Sequence, residues 1–192
     1  LVRSINYVSY LVILTLALCV QTVSAAKPAQ QYVIVVDAGS TGSRLYLFQY
    51  DTSTAIPDMK NVFSTNTKPG LSSYADHPEQ AGESLKKMFD EAEAYLKKSN
   101  VNEADVPVSI LATAGMRLVP EAKQQAVYQQ VSSFLQSHYT FPVRAVKTIT
   151  GQMEAFFGWL DVNYLSRTFQ DHQPTLGSAD VGGASTEIAF VT

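Results

Sequence analysis

Cysteine is almost absent from this chain of 192 residues: Cys19 stands alone, so neither a disulfide framework nor a cysteine-based zinc site can be built. Charge is scarce as well, at 16% of residues against about 25% in ordinary soluble domains. What charge there is leaves a net value of −3, without the basic excess that neutralising a phosphate backbone requires, which excludes nucleic acid as a partner. The three histidines, His77, His138 and His172, are scattered without ligand spacing and read as surface or capping residues. Neither a P-loop (GxxxxGK followed by Ser or Thr) nor GxGxxG occurs, which excludes both of those phosphate-binding fingerprints. Apolar material is not lacking, however. At 46% hydrophobic the chain has enough for a sizeable core and is not disordered. Its length suits one domain of roughly 150 residues with an appendage.

The appendage is N-terminal. Arg3 is the only charged residue before Lys27, and Tyr7 to Val20 is an apolar run of 14 residues, shorter than the ~18 that a membrane-spanning helix takes. With the small-residue site Val23-Ser24-Ala25, residues 1–26 read as a secretory signal peptide cleaved after Ala25 or Ala26. The expected location is extracellular or periplasmic. An uncleaved segment would instead anchor the protein to a membrane with its domain outside the cytosol.

Beyond this segment, YVIVVDAGSTGSRLYLFQY from Tyr32 reads as strand, glycine-rich turn, strand. A loop containing Pro57, Pro69 and Gly70 follows. Helical spacing through Leu85, Met88, Phe89, Ala92 and Leu96 predicts an amphipathic helix over 78–98. A strand at 106–112 and a turn at 113–117 come next. Pro120 takes the first position of a helix whose apolar face is Ala126, Val127, Val131, Phe134 and Leu135. A strand at 142–146, a helix at 152–165 and a strand–turn–strand at 176–191 complete an α/β lobe with a mixed sheet. In the 152–165 helix, Phe156, Phe157, Trp159, Leu160 and Tyr164 read as core packing rather than a nucleobase box.

Two segments resemble each other: VVDAGSTGS and SADVGGAST each run from a strand into an Asp, glycines and hydroxyls. Small residues let backbone N–H groups converge on an anion, and such a pair could face each other across one cleft. Each loop taken alone also reads as a tight turn. Asp37 and Asp180 offer the oxygen ligands that a hard cation beside phosphate wants. Glu154 is either a first-turn acid favoured by the helix dipole or a chemical group, and Arg44 and Arg117 are either phosphate ligands or salt-bridge partners.

Four segments together, DAGSTGSR (37–44), LATAGMR (111–117), ITGQMEAFFGWLDVNYL (149–165) and DVGGASTEIAF (180–190), resemble in order the first four apyrase conserved regions of the nucleoside triphosphate diphosphohydrolases. The resemblance implies an actin-like, RNase H-like (ASKHA) lobe of mixed β-sheet flanked by helices. Residues 27–192 would be the N-terminal nucleotide-phosphate-binding lobe, with the family's fifth region and second lobe not found within them. It implies a nucleotide hydrolase acting on nucleoside tri- and diphosphates such as ATP and ADP. Asp37 and Asp180 would hold hydrated Ca2+ or Mg2+. Gly39, Ser40, Thr41, Gly42, Ser43, Arg44, Thr113, Ala114, Arg117, Gly182, Gly183, Ala184 and Thr186 would line the phosphates. Glu154 falls on the family's catalytic base, with Ser185 and the residue at 187 orienting the water; here Glu187 replaces the usual Gln, and Met153 replaces a common second Glu. Ser-Thr-Glu at 185–187 also resembles the exopolyphosphatase and guanosine pentaphosphatase relatives. A nucleotide-binding fragment without hydrolysis is the third reading.

Overall fold

The computed structural model describes residues 30–51 and 56–191, so the segment read as a signal peptide, with Cys19, lies outside the described residues. Alternation in the first apolar run sets the fold. In β1 (Gln31–Ala38) Ile34, Val36 and Ala38 are fully buried, while the residues between them are partly covered. β1 pairs antiparallel with β2 (Ser43–Asp51) and parallel with β4 (Val108–Ala112), and β5 (Val143–Thr148) adds to β4 in parallel. With β3 (Asp58–Thr67) on the far side of β2, the sheet has five strands in the order β3-β2-β1-β4-β5.

Register places Ile34 beside Leu47 and Val108, and Val36 beside Leu45 and Ile110, so one face of the sheet is an unbroken aliphatic surface. Two helices cover it. α1 (Lys86–Lys98) buries Met88, Phe89, Ala92 and Leu96, the expected stripe, and α3 (Glu121–His138) buries Val127, Tyr128, Val131 and Leu135. Because β1, β4 and β5 run parallel, their carboxyl ends meet at one edge, where Thr113 N donates to Ala38 O (3.2 Å) and Ile149 N to Ala112 O (2.8 Å). That edge is where open α/β sheets bind ligands.

The structure corrects several expectations. The Pro57–Gly70 loop contains β3, an edge strand whose polar run DMKNVFSTNT conceals it; only Val62 and Phe63 reach the core. The helix expected from residue 78 begins at Lys86, because Pro78 and Gly82 break its approach into 3-10 turns at Pro78–Gln80 and Glu83–Leu85. The turn at 113–117 is a single helical turn, α2 (Ala114–Arg117), and Pro120 caps α3 rather than opening it. Most consequentially, the C-terminal hairpin of β6 (Ser178–Val181) and β7 (Thr186–Ala189) does not extend the large sheet. It forms a sheet of its own that packs against α4 (Gly151–Leu165).

The apolar residues of α4 are spread around the helix rather than along one stripe, and a two-stranded sheet cannot cover them all. Phe156 and Phe157 are therefore 47% and 39% exposed rather than core residues, and Phe156, Trp159, Phe190 and Val191 edge a hollow of about 440 Å³. The one fully buried residue of α4 is polar. Asn163 donates to Trp159 O and Leu176 O and accepts from Leu176 N and Thr168 Oγ1, all at 2.7–2.9 Å, tying the helix to the segment that leads into β6. Replacing Asn163 by Ala strips a donor and an acceptor from part-buried backbone groups, and is expected to cost about 1–2 kcal/mol in chemical denaturation. A loss under ~0.5 kcal/mol would mean that water takes over those bonds. Tyr164 fixes the other side of α4: its hydroxyl donates to Pro57 O (2.9 Å) and accepts from Met59 N (2.7 Å).

Candidate active site

At the shared strand edge the first glycine-rich loop, Gly39–Gly42, leaves β1 immediately after Asp37 and Ala38. The second, Gly182–Ser185, connects β6 to β7 and follows Asp180. They face each other closely: a Cβ built on Gly183 would lie 2.6 Å from Ser40 Oγ and 3.3 Å from Thr41 Cγ2. Gly115 of α2 backs the first loop just as tightly, its Cβ position lying 2.7 Å from Ser40 Cα. Gly115 lies within the motif LATAGMR, and the contact with Ser40 gives the physical reason for a glycine there. No backbone carbonyl among the described residues accepts from the amides of Ser40, Thr41, Gly183 or Ala184.

Asp37 and Asp180 flank the opposed loops at the strand ends. Burial, followed by a smaller contribution from the Asp180 charge, raises the Asp37 carboxyl above its ordinary range, while Arg44 opposes the shift from 3.4 Å. Thr113, half-buried at the start of α2, makes no side-chain cap bond, and Ala114 beside it is buried. Ser43 is placed differently from the expectation. It is 1% exposed, with its hydroxyl inside the sheet rather than on the cleft, because the alternation of β2 turns it inward beside Leu45.

The third cluster joins all three parts of the molecule. Thr150 caps α4 by accepting from Met153 N at 3.2 Å, which leaves Glu154 in the first turn, pointing back at the strand edge. Arg117, from the end of α2, donates from Nη1 to Glu154 Oε2 (2.6 Å) and Ile149 O (3.3 Å). From Nη2 it donates to Ser185 Oγ (3.0 Å) and Glu187 Oε1 (3.0 Å). Glu187 is 8% exposed, and its Oε2 has no partner. Burial raises the Glu154 carboxyl; Arg117 opposes this, and the charges of Glu187 and Asp180 reinforce it. Thr186 begins β7 and is exposed.

Carboxylate oxygens of Glu154, Asp180 and Glu187 lie within 4.8 Å of one another. An all-oxygen set suits a hard divalent cation. The Arg117 guanidinium engages one oxygen each of Glu154 and Glu187, and Arg44 lies 3.4 Å from Asp37, so among the described residues Asp180 is the carboxylate of this cleft with no ion pair. Among the described residues no helix is long and apolar enough to cross a membrane.

The chain matches known proteins along most of its length. Over 174 residues it is 36% identical to the guanosine-diphosphatase of Schizosaccharomyces pombe, covering 86% of this chain and 30% of that protein. It is also 36% identical over 174 residues to ectonucleoside triphosphate diphosphohydrolase 5 of Gallus gallus, covering 86% of this chain and 39% of that one. The chain thus spans between 30% and 39% of the length of these two relatives. Among solved structures it resembles a nucleoside triphosphate hydrolase of Neospora caninum (TM-score 0.53, 17% identity, covering 95% of this chain and 40% of that one). It resembles the Aquifex aeolicus PPX-GPPA enzyme similarly (TM-score 0.57, 19% identity, covering 84% and 48%). At these identities the likeness is one of fold, the actin-like lobe with a mixed sheet flanked by helices. The family model for GDA1/CD39 (nucleoside phosphatase) proteins matches residues 23–192, and with the identities above it establishes that the chain belongs to that family.

Proposed function

We propose that this chain forms the phosphate-binding and water-activating part of a secreted hydrolase that removes terminal phosphates from nucleoside tri- and diphosphates. The observation that carries this reading is the approach of the two loops across one cleft, with Gly183 against Ser40, beside Glu154 at the cleft wall. Amides of both loops supply fixed donors to phosphate oxygens, an arrangement that needs no reorganisation as charge develops on them. Hydroxyls of Ser40, Thr41 and Thr113 add donors. Glu154 takes the proton of a water that attacks the terminal phosphorus in line, and Ser185 orients that water. Asp37 and Asp180 would hold Ca2+ or Mg2+ through water, and the ion, when bound, neutralises phosphate charge and steadies the leaving group. Residues 1–26 direct the protein to the secretory route.

A second reading is favoured by one residue. Glu187 stands in Ser-Thr-Glu as in the polyphosphate hydrolases, and the fold likeness extends to one of that group. Phosphate release from ATP, ADP, GDP and polyphosphate by the protein expressed from its complete gene separates the two. Release from the nucleotides, abolished by EDTA, is expected. Cleavage of polyphosphate alone would transfer the protein to the second reading, and nucleotide binding without release from any substrate would leave a non-hydrolytic binding protein.

A further inference from the structure

Arg117 stands where a phosphate ligand was expected, yet its fork is directed elsewhere. Four donor contacts leave its two terminal nitrogens, and all four reach protein: Glu154, Ile149, Ser185 and Glu187, which are 32 to 70 residues away in sequence. The side chain is 24% exposed, with Glu154 at 18% and Glu187 at 7%. Only the fork geometry of a guanidinium can span a carboxylate at one edge and a hydroxyl plus a second carboxylate at the other.

We infer that Arg117 is a positioning residue for the attacking water rather than a phosphate ligand: it clamps Glu154 and Ser185 into register across the cleft, and the buried Glu187 anchors the clamp. The inference rests on the reading of Glu154 as the base. Arg117 bonds Oε2 of Glu154 alone, which leaves Oε1 to serve as the proton acceptor. Ser185 Oγ receives an N–H from Arg117, which leaves the serine's own hydrogen to be donated to the water. Glu187 holds the far edge of the fork from the hairpin side, so that α2, α4 and the β6–β7 hairpin share one cation. Swinging Arg117 out to a phosphate would leave Glu187, already with one unpartnered oxygen, as an uncompensated buried charge.

Arg117→Lys retains the charge but loses the fork, and a phosphate ligand and a clamp respond to it oppositely. Steady-state kinetics on the full-length protein should show kcat lowered ~10-fold or more with KM for the nucleotide within ~3-fold. Combined with Glu154→Gln, Arg117→Lys should cost much less than it does alone, because the part of its effect that passes through Glu154 is already lost and only the part through Ser185 remains. Glu187→Gln, which keeps an acceptor for Nη2, should retain most of the activity that Glu187→Ala loses. A raised KM with kcat intact, or losses that add in the Glu154→Gln background, would overturn the clamp. Calorimetric binding of a non-hydrolysable nucleoside triphosphate analogue tests it without turnover: Arg117→Lys should bind within ~3-fold of wild type, and a weakening beyond ~10-fold would make Arg117 a phosphate ligand after all. Failure of the hydrolase reading looks different, since Glu154→Gln would then match wild type.

Discussion

Glu154→Gln is expected to lower kcat for nucleotide hydrolysis at least ~100-fold while leaving nucleotide binding nearly unchanged, because the substitution keeps the side chain's shape and removes only its capacity to accept a proton. The cap at Thr150 fixes the helix start and Arg117 fixes the carboxylate, so an isosteric amide should sit where the acid sat. The pH profile gives a second readout. A general base works as its carboxylate, and burial together with the Glu187 and Asp180 charges pushes the Glu154 pKa above its ordinary 4.5. Wild-type activity should therefore climb with rising pH through a limb shifted upward from the ordinary glutamate value, and the limb should be absent from the residual activity of Glu154→Gln. Removing a like charge lowers a carboxyl pKa, so Glu187→Gln should move the limb toward acid. A Glu154→Gln enzyme within ~10-fold of wild type, or one retaining the limb, would place the base elsewhere.

How much of this was legible beforehand depended on the range of the interactions. Strand alternation and helix spacing are local, and they located β1, β2, β4, α1 and α3 with their buried faces. The four motifs singled out the loops and the acidic and basic side chains that the structure brings around one cleft, since short runs dense in small residues stand out in a sequence. What stayed hidden was set by long-range pairing. β3 is polar because it lies at an edge, so its pattern resembles a loop. The aromatics of α4 carry helical spacing whether or not a sheet covers them, and the hairpin that packs on α4 has only two strands. Arg117 and Arg44 each read equally well as phosphate ligand or ion-pair partner, and distance alone separates the two cases: 2.6 Å from Arg117 to Glu154, 3.4 Å from Arg44 to Asp37. The role of Asn163 was hidden, because an amide beside aromatics in a helix acquires its ties to another segment from the chain that returns past it.

Gly115 is the sharpest case of that long-range dependence, and Gly115→Ala should show it. In a helical turn the exchange is intrinsically favourable by about 1 kcal/mol, so any net loss must come from packing. The new methyl would lie 2.7 Å from Ser40 Cα and 3.1 Å from Ser72 Oγ, and the first of these is backbone that cannot rotate away. Overpacking of this kind costs about 1–3 kcal/mol, and an ångström of displacement in a positioned loop can lower turnover about 100-fold. Gly115→Ala is therefore expected to lower thermal stability and to cut kcat/KM by roughly two orders of magnitude, although residue 115 touches no substrate. Gly183→Ala supplies the control on the opposite loop. Its methyl meets the Ser40 hydroxyl at 2.6 Å, the free end of a side chain that can turn aside, so kcat/KM should fall only by what that one displaced donor contributes, less than for Gly115→Ala. Equal losses in the two variants would mean that the first loop yields as easily as a rotating side chain. Its amides could not then be the preorganised phosphate donors that the proposed chemistry requires.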